Sequence, residues 1–287
     1  MPGNAYRSLA ILSLVSALSG CPTPERDIAK SEKRLAIAKD LLAKRELEAA
    51  EAETNRALAL NPSNEEAYNT RGLIWMVRAY ETKRTLEIDS CLTGVDAEAT
   101  HQDLEKFLAK ADQDFAQAVK LTPDYGEAWS NRGVVYNLLE EYDRSAEYLT
   151  KALENPFRLV EPGLTRAHLG WALFHQNKLV EAAKELRQVK QFAGGMCTAT
   201  YRLGRVYFAR QEWEKAAELF ETASGDPSCG SQESSLYLMK TRMEQGLVND
   251  AIAARDACLK RSPQSCIASQ CRADGGALGP SQVPSRP

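Results

Sequence analysis

The chain has 287 residues, 44% of them hydrophobic and 26% charged, with 36 Lys and Arg against 39 Asp and Glu for a net charge of -3. That balance excludes a chain too polar to bury a core, and it excludes a nucleic-acid binder led by a basic field. Alanine is abundant, Gly and Pro number 17 and 12, and β-branched clusters are scarce, so helices are expected throughout. The 7 cysteines are an odd total, high for a reducing compartment and low for a small disulfide scaffold.

Residues 1–20 read as a signal peptide, with Arg7 as the positive n-region and an apolar run over 9–18. That run is too short to span a bilayer, and no later stretch approaches the length of a transmembrane helix. Leu18, Ser19, Gly20 and Cys21 then stand together, and the tetrapeptide resembles the lipobox of bacterial lipoproteins. The resemblance implies cleavage after Gly20, lipidation of Cys21 and a lipidated tether over residues 21–30. Stable anchoring requires more than one acyl chain, which this modification supplies. Pro22 rather than Asp follows the cysteine, so the expected location is the outer membrane, facing the periplasm.

From residue 31 the sequence repeats. Leu169-Gly170 returns as Leu203-Gly204, Ala182 as Ala216 and Leu186 as Phe220, each 34 residues on. That is the tetratricopeptide period. Six units follow in phase: 31–64, one starting at 65 and resuming after an insertion, 126–159, 163–196, 197–230 and 232–265. The third fits best, through Trp129, Gly133, Tyr136, Leu149 and Ala152, and the sixth is degenerate in its first helix. Pro62, Pro123 and Pro263 terminate second helices. Small residues at Gly72, Gly133, Gly170 and Gly204 are expected to face Ala111, Ser145, Ala182 and Ala216 and let paired helices approach closely. The fold class expected is all-α: a right-handed superhelix of about six tetratricopeptide helix pairs over 31–271, with a capping C-terminal helix. Residues 272–287 are Gly/Pro/Ser-rich and expected to be disordered.

The second unit carries 27 extra residues, at about 81–108. Leu104, Phe107, Leu108, Ala111, Phe115 and Ala118 keep helical spacing, so both helices of this unit are expected to be lengthened into an arm projecting roughly 20 Å. A second departure, the junction 155–166, is three residues longer than the period demands and is expected to form a bent, rigid connection.

In this fold, fixed positions of each first helix face a concave groove. The register places Leu73, Met76 and Val77, then Val134, Asn137 and Leu138, then Ala167, Trp171, Phe174 and His175, then Tyr201, Arg205 and Phe208 on that surface. Such an apolar, aromatic lining marks a protein-binding surface. Asn69 loosely matches the carboxylate clamp of chaperone-tail binders but its basic partners are missing, so a hydrophobic or amphipathic segment is the expected ligand.

Catalysis is not expected. His168 and His175 are seven residues apart, too far along one helix for shared metal ligation, and Gly194-Gly195 lacks a phosphate-loop context. No cofactor, metal, nucleic acid or small-molecule substrate is expected. With Cys21 assigned to lipid, Cys197 and Cys229 fall at adjoining ends of one hairpin, and Cys258 is within reach of Cys266 or Cys271 on a capping helix. One C-terminal cysteine is left with Cys91, which can pair with it only if the arm folds back.

A lipobox, a short tether and six repeats, with Asn131-Arg132-Gly133 and the run Arg166-Ala167-His168-Leu169-Gly170, resemble the type IV pilus pilotins of the PilF/PilW/Tgl group. The resemblance implies an outer-membrane lipoprotein that binds secretin subunits and promotes their localisation and multimerisation. The arm and the cysteine-rich C-terminus depart from that group's pattern. The runner-up is an envelope-biogenesis adaptor, resembling NlpI-type or BamD-type lipoproteins, that scaffolds cell-wall hydrolases or barrel assembly. A thiol oxidoreductase comes last, because no C-x-x-C is present.

Overall fold

The structure, a computed structural model, describes residues 27–156, 158–189, 196–226, 229 and 231–279. The signal peptide, Cys21 and most of the tether expected from the sequence lie outside the described residues.

Thirteen α-helices occupy the described residues. They pair as α1 (Ile28–Ala43) with α2 (Leu47–Leu60), α3 (Glu65–Arg84) with α4 (Gly94–Leu121), and α5 (Gly126–Leu138) with α6 (Tyr142–Glu154). Then follow α7 (Pro162–His175) with α8 (Leu179–Val189), α9 (Met196–Ala209) with α10 (Trp213–Gly225), α11 (Gln232–Glu244) with α12 (Val248–Arg261), and α13 (Cys266–Asp274) as a cap. Odd-numbered helices touch the next odd-numbered helix, whereas even-numbered helices do not touch one another. The odd helices are therefore crowded on the inside of a curve and the even ones splayed on its outside, which is a superhelix of hairpins.

The hairpin turns repeat atom for atom. In five units the turn contains a left-handed residue, Arg45, Glu140, Asn177, Gln211 or Gly246, with φ between 59° and 73°. The next amide then donates back five residues, as in Glu46 N to Leu41 O and Lys178 N to Leu173 O. These bonds satisfy carbonyls that the end of a helix would otherwise strand. Only the second unit lacks this turn.

Packing at the glycines leaves no room for a side chain. A Cβ built on Gly72 would lie 2.5 Å from the Phe115 ring, and the corresponding distances are 2.4 Å from Gly133 to Leu149, 2.6 Å from Gly170 to Leu186 and 2.6 Å from Gly204 to Phe220. The small residues expected opposite the glycines are there, with Ser145 Oγ donating to Gly133 O at 2.8 Å and Ala182 O lying 3.3 Å from a Cβ on Gly170, and the large side chain one turn further along the second helix fills the rest of the notch. Phe115, Leu149, Leu186 and Phe220 are all at most 1% exposed. They are the centre of each hairpin's core.

The array is longer than expected at both ends. Asp27 accepts a hydrogen bond from Lys30 N and starts α1 at Ile28. At the other end α13 runs to Asp274 and a short turn continues from Gly276 to Leu278. Leu278 packs on the core of the sixth unit, and the Arg255 guanidinium donates to the carbonyls of Gly275 and Gly279. Residues 272–279, expected to be disordered, are therefore folded, because Leu278 and Arg255 tie a Gly-rich stretch to the cap.

Both helices of the second unit are lengthened. α3 has 20 residues and continues through a π-helical turn, Thr85–Asp89, and α4 has 28, against 13 in each of α5 and α6. Cys91 (φ 42°) and Gly94 (φ 70°) turn the chain back. Of the two outcomes the sequence left open for the arm, a free tip or one folded back onto the C-terminal cysteines, the structure has the second. The tip meets α13, where Cys91 is bonded to Cys266 across 175 residues of sequence. Leu86, at this tip, is only 3% exposed. Cys197 is bonded to Cys229 and Cys258 to Cys271, so all six described cysteines are oxidised.

Candidate functional site

The inner surface divides into two parts. At the N-terminal end a cavity of about 550 Å³ is lined by Leu42, Asn69, Leu73, Tyr125 and Arg158 among others. The 155–166 junction walls it. Arg158 adopts φ 60°, lies 3.9 Å from the Tyr125 ring centroid and donates to Glu65 and Glu66 at 2.9 Å each. Val160 N meets the Glu127 carboxylate at 3.0 Å. Burial there raises the Glu127 carboxyl pKa and pushes the Tyr125 hydroxyl up to about 12. The extra residues of the junction thus reach back to α3 and hold the third and fourth units in register with the second.

Towards the C-terminal end the surface is aromatic. Trp171 stacks on Phe174 at 5.2 Å and lies 6.3 Å from Tyr201. Tyr201 in turn lies 6.3 Å from Tyr237, and Phe208 lies 5.4 Å from the same ring. His175, on the rim, stacks on Tyr142 at 4.1 Å. Two guanidiniums enter this cluster. Arg205 lies 3.8 Å from the Tyr237 centroid and donates to the Tyr201 hydroxyl at 2.9 Å. Arg202 donates to Ala167 O at 2.9 Å and meets His168 Nδ1 at 3.2 Å. Both guanidinium carbons are within 5.4 Å of the Trp171 centroid.

The electrostatics are those of cations without anions. Desolvation lowers Arg202 to about 10, leaving it protonated at neutral pH, and the groups that oppose the drop, Tyr80 and Tyr201, are uncharged phenols at that pH. His168 is driven well below its usual value, first by burial and then by the Arg202 charge, so it is neutral and its Nδ1 accepts. Tyr201 rises to about 12 through burial. Tyr80 lies on α3, next to the base of the arm. It keeps 45% of its surface open, yet desolvation raises its pKa, a rise that the Arg202 charge opposes.

The residues expected in the groove divide accordingly. Trp171, Phe174, Tyr201 and Phe208 come together in the aromatic cluster, with Arg205 among them. Leu73 lines the N-terminal cavity. Val134 and Leu138 are half-buried against the core of the second and third units. Met76 belongs to that core, at 6% exposure, and Val77 packs on Leu47, Ala50 and Ile74. Met76 is interior because α4 packs over that side of α3, whereas Val77 is half-buried against the first unit. Asn137 is 9% exposed, its amide nitrogen donating to His168 O while its side-chain oxygen has no partner. Sequence reasoning missed Arg202, Tyr237, Tyr142 and Tyr80. Position six of the units starting at 126, 163, 197 and 232 gives Asn131, His168, Arg202 and Tyr237, and that recurrence was the available signal.

Comparison with known proteins agrees with this geometry. The profile of the family described as Tetratricopeptide repeat matches residues 101–157. No curated relative matches the sequence. Among solved structures, PilW, described as a widely conserved type IV pilus biogenesis factor, superposes with a TM-score of 0.62 at 21% identity, over 83% of this chain and 96% of that one. Pseudomonas aeruginosa PilF gives 0.64 at 12% identity, over 86% and 98%. Cut9 in the APC/C hetero-tetramer Cut9–Hcn1 gives 0.67 at 13% identity, over 87% of this chain but 44% of that one. The fold is a tetratricopeptide-repeat superhelix. The array resembles PilW and PilF in fold over nearly their whole length. Among the described residues no helix of this array is long and apolar enough to cross a membrane.

Proposed function

We propose that this chain is a non-catalytic assembly factor of the type IV pilus, which binds a segment of a secretin subunit in its concave groove and promotes secretin localisation and multimerisation. The carrying observation is the likeness along 96% of PilW, a protein described as a type IV pilus biogenesis factor. The aromatic surface of Trp171, Phe174, Tyr201 and Phe208 supports it, since rigid aromatic side chains anchor protein partners at low entropic cost. A lipid on Cys21 holds the complex at the outer membrane, in the periplasm, where the three disulfides persist.

Deleting the protein tests this reading. Secretin multimers in outer-membrane fractions and surface pili are both expected to fall sharply, and Cys21→Ala is expected to release the protein from the membrane. Intact multimers and normal piliation in the deletion strain would refute it. The same fold serves Cut9 in a different assembly, which keeps the envelope-biogenesis adaptor as second reading. Affinity capture that returns a cell-wall hydrolase or a barrel-assembly subunit in place of a secretin would favour it.

A further inference from the structure

Most arginines of the array end on carboxylates. Arg71 grips Asp114 through two bonds of 2.9 and 2.7 Å, Arg132 meets Asp112 at 2.8 Å, Arg166 meets Glu185 at 2.6 Å, and Arg158 bridges Glu65 and Glu66. The two groove arginines differ. Among the described residues neither Arg202 nor Arg205 has a carboxylate partner. The nearest acidic influences fall on other groups: Glu233 on Tyr201 and Glu140 on His175. Both guanidiniums are instead steered by a carbonyl, an imidazole nitrogen, a phenol and four aromatic faces.

A buried cation left without an anion is costly, and its cost is recovered when a partner brings the missing charge. The arrangement is suited to that. Stacking on Trp171 and Tyr237 holds the guanidiniums in place without neutralising them, so little side-chain entropy remains to be lost when a carboxylate arrives. Position in the groove says which kind of carboxylate. Leu73, Val134 and Leu138 lie on the N-terminal side of the pair, and Phe208 and Tyr237 on the C-terminal side. A segment long enough to cover both sides continues past the arginines in both directions, so the carboxylate is a side chain within the segment and not its terminus.

We propose that Arg202 and Arg205, over the Trp171 ring, form the seat for one Asp or Glu side chain in an extended, otherwise apolar segment of the partner protein. This rests on the reading of the groove as a segment-binding surface and adds the chemical feature that selects the segment. Arg205 is among the residues the register places in the groove, and Arg202, at position six of the fifth unit, joins it there. Asn137 Oδ1, buried and unpartnered beneath His168, adds an acceptor at the groove floor.

The test uses the mature chain with its disulfides formed and random peptides displayed on phage. The peptides selected are expected to carry Asp or Glu between apolar residues. Changing that acid to Asn or Gln in the synthetic peptide is expected to weaken binding about tenfold or more, and Arg202→Gln with Arg205→Gln to do the same. Arg202→Lys with Arg205→Lys, which keeps the charges, is expected to restore part of the affinity, with circular dichroism showing unchanged helix content. If the double Gln variant fails to fold, the acid-to-amide change in the peptide decides alone. Selected peptides that bind equally well as amides would overturn the seat while leaving segment binding intact. Binding abolished only by amidating the peptide's C-terminus would also overturn it. Peptides whose binding is unaffected by Trp171→Ala would overturn both the seat and the groove.

Discussion

Cys91, in the tip of the arm, has its Cα 4.7 Å from that of Cys266, the first residue of the capping helix, and the two are bonded. The second and last elements of the array are therefore neighbours, although four hairpins separate them in sequence. Constraint of the unfolded chain grows with the loop a disulfide closes. For separations of 175, 32 and 13 residues it amounts to about 5, 4 and 3 kcal/mol. Replacing Cys91 and Cys266 together by Ser is expected to lower thermal stability more than the Cys258/Cys271 pair does, read as the midpoint of unfolding without reductant.

Gly170 has no room for a side chain: its built Cβ lies 2.6 Å from Leu186 Cγ and 3.3 Å from Ala182 O. Gly170→Leu is expected to cost about 1–3 kcal/mol by overpacking. Shortening the neighbour, in Gly170→Ala with Leu186→Ala, is expected to relieve the clash but leave its own cavity cost. A double-mutant cycle measured by chemical denaturation separates the two contributions.

His168 gives the fold an acid sensitivity whose sign is fixed. Its folded pKa is lowered by burial and by Arg202, while the unfolded value stays near the ordinary 6.5. Below that value the unfolded chain binds a proton that the folded one refuses, so stability falls as pH drops from 6.5 toward the folded pKa, and is unaffected above 6.5. Protonation would also remove the acceptor for Arg202. His168→Gln is expected to flatten this part of the stability profile, measured by denaturation across mildly acidic pH.

Trp171 lies within reach of Phe174, His175, Tyr201 and both groove arginines. Trp171→Ala is expected to weaken partner binding by about 2 kcal/mol or more, the loss typical of a central aromatic anchor. Leu138→Ala, at the apolar edge, is expected to cost much less. Titration of a captured partner segment against both variants checks the ranking.

The hairpins were legible because their requirements are local. A glycine in the first helix and a large apolar residue sixteen positions after it are written in the chain, as in Gly133 with Leu149, Gly170 with Leu186 and Gly204 with Phe220. The groove was legible only in part, since register alone decides which side a residue faces. Met76 obeys the groove register but is covered, because α4 packs over that side of the helix that carries it. Arg202 lies between groove positions, and its significance depends on Tyr80 and His168, which belong to other units. The closure by Cys91 was legible only as an alternative, by elimination among the cysteines and on condition that the arm folds back. Nothing near residue 91 names residue 266 as its neighbour, so the direction of the arm had to come from the fold.

The covalent path through the molecule is shorter than the chain. Tension applied between the two ends would run along α1, α2 and α3, cross from Cys91 to Cys266, and leave through α13. The third to sixth hairpins, with the whole aromatic cluster, hang outside that load path as a side loop. A protein tethered at one end and pulled at the other would keep its groove unstretched for as long as that single bond held.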